Sequence, residues 1–204
     1  MSPVTRNDRQ VGSKDRPGRA NALALVEAVD KRPDNLPGMA DGLRATLATL
    51  GYVYSADRAS VLMIRRDARP DDIHYGYYNG LGGKLEPSED VAAGMRREIH
   101  EEAGLDCGPL DFAGTISWPG FGKDGGNWFG FLFRVPSWTG TPLTGNDEGS
   151  LHWVPIADVL AGRVPMWESD RHFLPLVFAE SPRVFHGVMP FADGKAVSWS
   201  YTTL

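Results

Sequence analysis

A single cysteine, Cys107, stands among the 204 residues. One thiol closes no internal disulfide and builds no thiolate metal site, which fits a reducing cytoplasm. No stretch approaches the ~18 consecutive apolar residues of a membrane span, and the first residues lack the apolar core of an export signal. A membrane partner and secretion are therefore not expected. Positive charge is also short: Lys and Arg number 21 against 26 Asp and Glu, a formal net charge of −5. A surface for a nucleic-acid polymer needs a basic excess to neutralise phosphates, so that partner is excluded.

What is present suits one well-filled globular core with an appendage: 42% of residues are hydrophobic and 10% aromatic. Residues 1–20 are polar, with five Lys/Arg against two Asp. They have too little apolar area to offset their ordering entropy and are expected to be a flexible tail. Residues 21–40 contain a short apolar-periodic run ended by "PDNLPG", expected as an accessory helical extension. The folded domain is expected over 41–204.

Within it, "LRATLATLGYVYS" and "ASVLMIRR" read as two strands joined by a hairpin through Ala56-Asp57-Arg58. Further strands are predicted at 110–118, 127–135, 150–154, 183–191 and 195–203, and helices at 88–103, 155–162 and 170–180. Strands outnumber helices and do not alternate regularly with them, which gives an α+β class with a mixed sheet.

One segment carries most of the chemistry. "GGKLEPSEDVAAGMRREIHEEAGLD" holds seven carboxylates, from Glu86 to Asp106. At about 100° per residue, Glu98, Glu101 and Glu102 share one helical face, while Val91, Met95 and Ile99 form an adjacent stripe that can be buried. Like charges at these spacings repel by a few tenths of a kcal/mol per exposed pair, more if partly buried. A solvated acidic face is the ordinary meaning of such a run. A cation is the other, and hard oxygen donors without His or Cys suit Mg²⁺ or Mn²⁺. Glu89 and Arg97 are placed to pair across the start of the helix, and Gly104 to cap its end.

The spacing resolves the choice. Gly83, five residues, Glu89, seven residues, Arg97-Glu98-Ile99, one residue, Glu101-Glu102, one residue and Gly104-Leu105 resembles the Nudix hydrolase box at every fixed position. The resemblance implies a Nudix fold, a mixed β-sheet sandwiched between helices (an α/β/α sandwich). It also implies a divalent cation, Mg²⁺ or Mn²⁺, held by Glu98, Glu101 and Glu102 with the Gly82 carbonyl as a further donor. An acidic residue outside the box, Glu148, is the candidate to complete the set.

Three flanking stretches, "YYNGLGGKLE", "MWESDRHFLPLVF" and "VFHGVMPF", are similar to segments of MutT-like enzymes that hydrolyse oxidised purine nucleoside triphosphates. That likeness implies substrate contacts from Asn79, Lys84, Trp167 and Asp170: Asn79 and Asp170 to a purine edge, Trp167 stacked on the ring. Ser169 stands where those enzymes have a first aspartate. The expected reaction is phosphoanhydride hydrolysis to a monophosphate and pyrophosphate, with Glu98, Glu102, Glu148 and Arg97 as its machinery and Glu102 or Glu148 as proton acceptor. The expected partner is a nucleotide, and the expected assembly a monomer or homodimer. Two other readings compete: a Nudix hydrolase for ADP-ribose, a dinucleoside polyphosphate or a nucleoside diphosphate, and a non-catalytic binding module. The intact Arg97, Glu98, Glu101 and Glu102 disfavour the latter.

Overall fold

The computed structural model describes residues 43–204. The expected tail and accessory helix lie outside them. The first two strands, β1 (Ala45–Tyr54) and β2 (Ser60–Arg65), form the expected hairpin, its turn pinned by Asp57, which accepts from Ser55 Oγ and the Ala59 amide. After β3 (Tyr78–Asn79) come helix α1 (Val91–Ala103), β4 (Asp106–Cys107), β5 (Asp111–Trp118), β6 (Asn127–Val135) and β7 (Trp138–Thr139). The chain continues through β8 (Ser150–Pro155), α2 (Ile156–Leu160) and α3 (Asp170–Val177). It ends in β9 (Phe185–Val188), β10 (Phe191–Ala192), β11 (Lys195–Ala196) and β12 (Ser200–Thr203).

Eight strands make the main sheet, in the order β12-β9-β5-β6-β1-β2-β3 with β8 also paired to β2. β1 runs parallel to β6 over nine residue pairs, and β5 parallel to β9, while the other main-sheet pairings are antiparallel. The sheet is mixed, as expected.

Period-two alternation sends successive side chains to opposite faces. Tyr52, Val61, Met63, Ile116 and Leu132 pack on one side with Val159 of α2 and Phe173, Leu174 and Val177 of α3. Val53, Leu62, Ile64, Phe133 and Val135 pack on the other with Met95, Ile99 and Ala103 of α1. The result is the α/β/α sandwich. Full burial of Met95 and Ile99 stabilises the seat of α1 by about 1.5–3 kcal/mol each.

β1 and β2 pair only beside their turn, at Val53↔Leu62 and Tyr54↔Val61. Beyond it they splay, and the glycine loop fills the gap. Gly51 and Leu81 exchange both backbone hydrogen bonds (2.7 and 3.0 Å), and the amides of Thr49 and Leu85 donate to Gly83 O and Leu47 O. Gly82 has φ +144°, and a Cβ there would overlap the Thr49 carbonyl, so only glycine lets the loop lie this close to β1.

Some boundaries differ from expectation. α1 starts at Val91 rather than 88, because the Asp90 carboxylate accepts from the Ala92 and Ala93 amides and caps the helix there. The stretch 195–203 is two short strands. The sequence "FADGKA" makes a tight hairpin of β10 and β11, with Asp193 and Gly194 both at positive φ (50° and 73°). Among the described residues no helix is long and apolar enough to cross a membrane.

Candidate active site

The crowded face of α1 answers to an internal cation first. The Arg97 guanidinium takes Glu89 in a two-pronged pair (2.7 and 3.1 Å) and donates from NH1 to Glu98 Oε1 and Glu101 Oε2, both at 3.0 Å. A further bond to Lys84 O ties the glycine loop to the helix. Glu89 precedes the cap, so this pair braces the junction of loop and helix, as expected. Bidentate geometry of this kind is the stronger form of ion pair. It holds the Glu89 carboxyl below its ordinary range and raises the guanidinium further still.

Glu98 and Glu102 are the less compensated of these glutamates. Burial pushes the Glu98 carboxyl up, against the pull of Arg97, with the charges of Glu101 and Glu89 adding to the rise. Burial pushes Glu102 up to about 8, opposed by a 2.7 Å hydrogen bond from the Gly82 amide and reinforced by Glu148, Glu98 and Glu101. Four carboxylates therefore share one electrostatic neighbourhood.

Glu148 reaches that neighbourhood from a turn before β8. Asn146 holds the turn: its Oδ1 accepts from the Glu148 and Gly149 amides, and its Nδ2 donates to Glu102 O at 3.1 Å. The same side chain thus fastens the turn to the end of α1.

Among the described residues no three Asp, Glu, His or Cys side chains converge on a common metal-binding point. Arg97 lies between Glu98 and Glu101, and Glu102 faces the Gly82 amide. The donor chemistry nevertheless fits a hard divalent ion: oxygen ligands only, an excess of negative charge, and a glycine at 83 where a Cβ would crowd the Glu98 carboxylate.

Beside this face opens a cleft of about 550 Å³. Eight of the ten residues singled out in the sequence line it: Asn79, Gly82, Lys84 and Arg97, then Glu98, Glu148, Trp167 and Asp170. Glu101, 58% exposed, and Glu102, behind the glycine loop, do not. Asn79 comes from β3. Asp170 opens α3 beside fully buried Tyr52, accepts weakly from Ser169 Oγ (3.3 Å), and is pushed up to about 7 by burial. Lys84 Nζ lies 5.4 Å from the Trp128 ring.

The cleft also gathers residues without a role assigned from sequence. Trp128, Phe121 and Phe191 join Trp118 as an aromatic wall, with Phe121 5.0–6.1 Å from the other three rings. Arg66 projects from the end of β2. Thr49 of β1 is 3% exposed, and its hydroxyl is the one buried side-chain polar atom among the described residues without a partner. A polar residue in an apolar strand was the available signal for Thr49. Nothing local marks Trp128 or Phe191, which reach the cleft only through strand pairing.

The fold has counterparts among known proteins. The NUDIX domain family model matches residues 44–177. The chain belongs to the Nudix family. Within it, the oxidized purine nucleoside triphosphate hydrolase of Mus musculus is 30% identical over 127 residues, 60% of this chain and 74% of the relative. The uncharacterized Nudix hydrolase YvcI of Bacillus subtilis (strain 168) is 27% identical over 135 residues, 64% of this chain and 78% of the relative. The crystal structure of the MutT protein of Bacillus halodurans superposes with a TM-score of 0.65 at 25% identity, covering 76% of this chain and 97% of the other. The protein is accordingly a Nudix hydrolase, of a family that acts on nucleotides and generally uses divalent metal ions.

Proposed function

We propose that this Nudix hydrolase cleaves purine nucleoside triphosphates, oxidised purines among them, to the nucleoside monophosphate and pyrophosphate. One observation carries the reading: a single cleft lines up Asn79, Trp167 and Asp170 with Gly82, Glu98 and Glu148. The first three suit a purine. The Asn79 amide offers donor and acceptor together, and an indole offers a flat apolar wall. A carboxyl with a pKa of about 7 can donate a hydrogen bond as the acid or accept one as the anion.

The second set suits phosphates and water. Mg²⁺ or Mn²⁺ would be held by Glu98, Glu101, Glu102 and Glu148 with the Gly82 carbonyl, and when bound supplies charge neutralisation on the phosphate oxygens. Lys84 adds positive charge at the cleft wall. Arg97 orients Glu98 and Glu101 and fixes the loop. Glu102 or Glu148 accepts the proton of the attacking water; Glu148 lies on the cleft wall, and Glu102 sits behind it on the Gly82 amide. The name of the mouse relative accords with this substrate class.

The test is a product profile with Mg²⁺ and with Mn²⁺ over dGTP, 8-oxo-dGTP, 8-oxo-dGDP, ADP-ribose, a dinucleoside polyphosphate and pyrimidine triphosphates. The expected result is the highest kcat/KM on a purine triphosphate, with pyrophosphate released. Preference for ADP-ribose, a diphosphate or a dinucleoside polyphosphate overturns the substrate class, and no hydrolysis of any of them supports the binding-module reading.

A further inference from the structure

Trp167 is held by a circuit of side chains, one of which, Arg66, also pairs with Glu148 at 3.7 Å. Its indole N–H donates to His74 Nε2 at 3.3 Å, so that nitrogen carries the lone pair and the ring proton sits on Nδ1. The two rings lie 4.8 Å apart, and Tyr77 closes on both, 5.5 Å from His74 and edge-on to Trp167 at 5.4 Å. The His74 backbone amide donates to Asp72 Oδ1 at 2.9 Å. The other Asp72 oxygen accepts from both Nε and an NH2 of Arg66. Arg66 returns to the start, its guanidinium 5.9 Å from the Trp167 ring centre.

The frame around this circuit is backbone. The Arg66 amide donates to Tyr77 O and the Gly76 amide to Arg66 O, so the loop leaves and rejoins the sheet at one point. The Tyr78 amide donates to Pro165 O, which fastens the loop's exit two residues from Trp167. Trp167 and Arg66 line the cleft, whereas Asp72, His74 and Tyr77 do not. The latter three therefore reach a ligand only through the indole or through Arg66.

We propose that His74 is a positioning residue for base recognition: by accepting the indole N–H, and being itself anchored through Asp72 to Arg66, it fixes the plane that Trp167 presents to the cleft. The inference rests on Trp167 being the wall for a purine. An indole that loses its acceptor in a half-buried site either leaves the N–H unsatisfied or rotates to find another partner, and either change alters the stacking surface. The consequence falls on binding of the base, because His74 itself contacts Asp72, Tyr77 and Trp167 and none of the glutamates of α1. The loop between Arg66 and Tyr78 then tunes selectivity without touching substrate.

Two variants of the full chain separate the acceptor from the packing. His74→Phe keeps a ring and drops the acceptor, and His74→Gln drops the ring and keeps a carbonyl acceptor. His74→Phe is expected to raise KM for purine triphosphates about tenfold with kcat within about twofold. The purine-over-pyrimidine preference should fall by the same factor, and His74→Gln should recover most of both. A second readout does not depend on turnover. The Trp167 Nε1–H resonance in a ¹⁵N spectrum, assigned by its loss in Trp167→Phe, should shift and exchange faster in His74→Phe and stay near its parent position in His74→Gln. Unchanged KM and an unchanged resonance in His74→Phe overturn the positioning role alone. If Trp167→Ala leaves KM for purines unchanged while the resonance still answers to His74, the base-wall reading fails and takes the positioning role with it.

Discussion

The two residue sets of the cleft are built by different means. The glutamate set comes mostly from one short stretch of chain, in which the periodicity of α1 brings Glu98, Glu101 and Glu102 together and Arg97 compensates the first two, while Glu148 joins from the turn before β8. The aromatic set is assembled from segments far apart in sequence: Asn79 after the loop following β2, Trp118 and Trp128 from β5 and β6, Trp167 and Asp170 before and at the start of α3. Local spacing specifies most of the first, and only tertiary packing specifies the second. The physical consequence is a division of labour. The set fixed by local geometry can keep one chemistry, and the set made of loops and element termini can vary in what it recognises.

The comparison breaks most visibly in the glutamate set. Glu102→Gln keeps the shape of the side chain and a hydrogen-bond acceptor for the Gly82 amide, yet removes the carboxylate. Turnover should fall by about a thousandfold or more while circular dichroism and Tm show a folded chain. In the parent, a chelator should abolish turnover and added Mg²⁺ or Mn²⁺ should restore it. Full activity without divalent ions would remove the reason for the crowded helix face.

In the aromatic set the expected loss is smaller. Asp170→Ala and Asn79→Ala should each lower kcat/KM for purine triphosphates about tenfold to a hundredfold, since an unpaired polar group in a partly dry pocket costs roughly 1–3 kcal/mol. The response of metal-ion activation should be unchanged, because neither side chain belongs to the glutamate face. If Asp170→Ala hydrolyses dGTP and 8-oxo-dGTP as well as the parent does, the purine pocket lies elsewhere.

The smallest effect concerns stability and pH. Burial raises the Asp170 carboxyl from 3.8 to about 7, so between those values the folded chain holds a proton that the unfolded chain has released. Stability contributed by the neutral acid is complete below pH 3.8 and is lost as pH rises towards 7. Asparagine cannot ionise. Asp170→Asn should therefore raise Tm over the parent by roughly 2–4 °C per kcal/mol regained at pH 8, with little gain at pH 4. An equal difference at both pH values would show that ionisation of Asp170 is not what the site resists.

The same contrast explains what could be read from the chain alone. The α+β class, the hairpin at Ala56-Asp57-Arg58, the whole of β6 and the buried stripe of α1 follow from alternation and helical period, which are local signals, whereas the α/β/α layering follows from the family resemblance. The start of α1 lies three residues beyond the expected 88 because the Asp90 carboxylate caps the helix there. The β10–β11 hairpin is legible in "ADGK", yet its two flanks read as the ends of two longer strands, 183–191 and 195–203. Arg66 and the Trp128 wall carried no local mark of function, since their place in the cleft depends on β1 pairing with β6 and on how the loop after β2 folds back. Motif likeness, not periodicity, brought Asn79, Lys84, Trp167 and Asp170 into view.

The central claim, that recognition and hydrolysis are carried by separate sets of residues in one cleft, is tested most directly by steady-state kinetics of Glu102→Gln and Asp170→Ala, side by side on purine and pyrimidine triphosphates. Glu102→Gln should lower kcat by the same factor whatever the base. Asp170→Ala should raise KM for purines alone and leave pyrimidine turnover at the parent's level. A base-dependent loss in Glu102→Gln, or an equal loss on both base classes in Asp170→Ala, would contradict it.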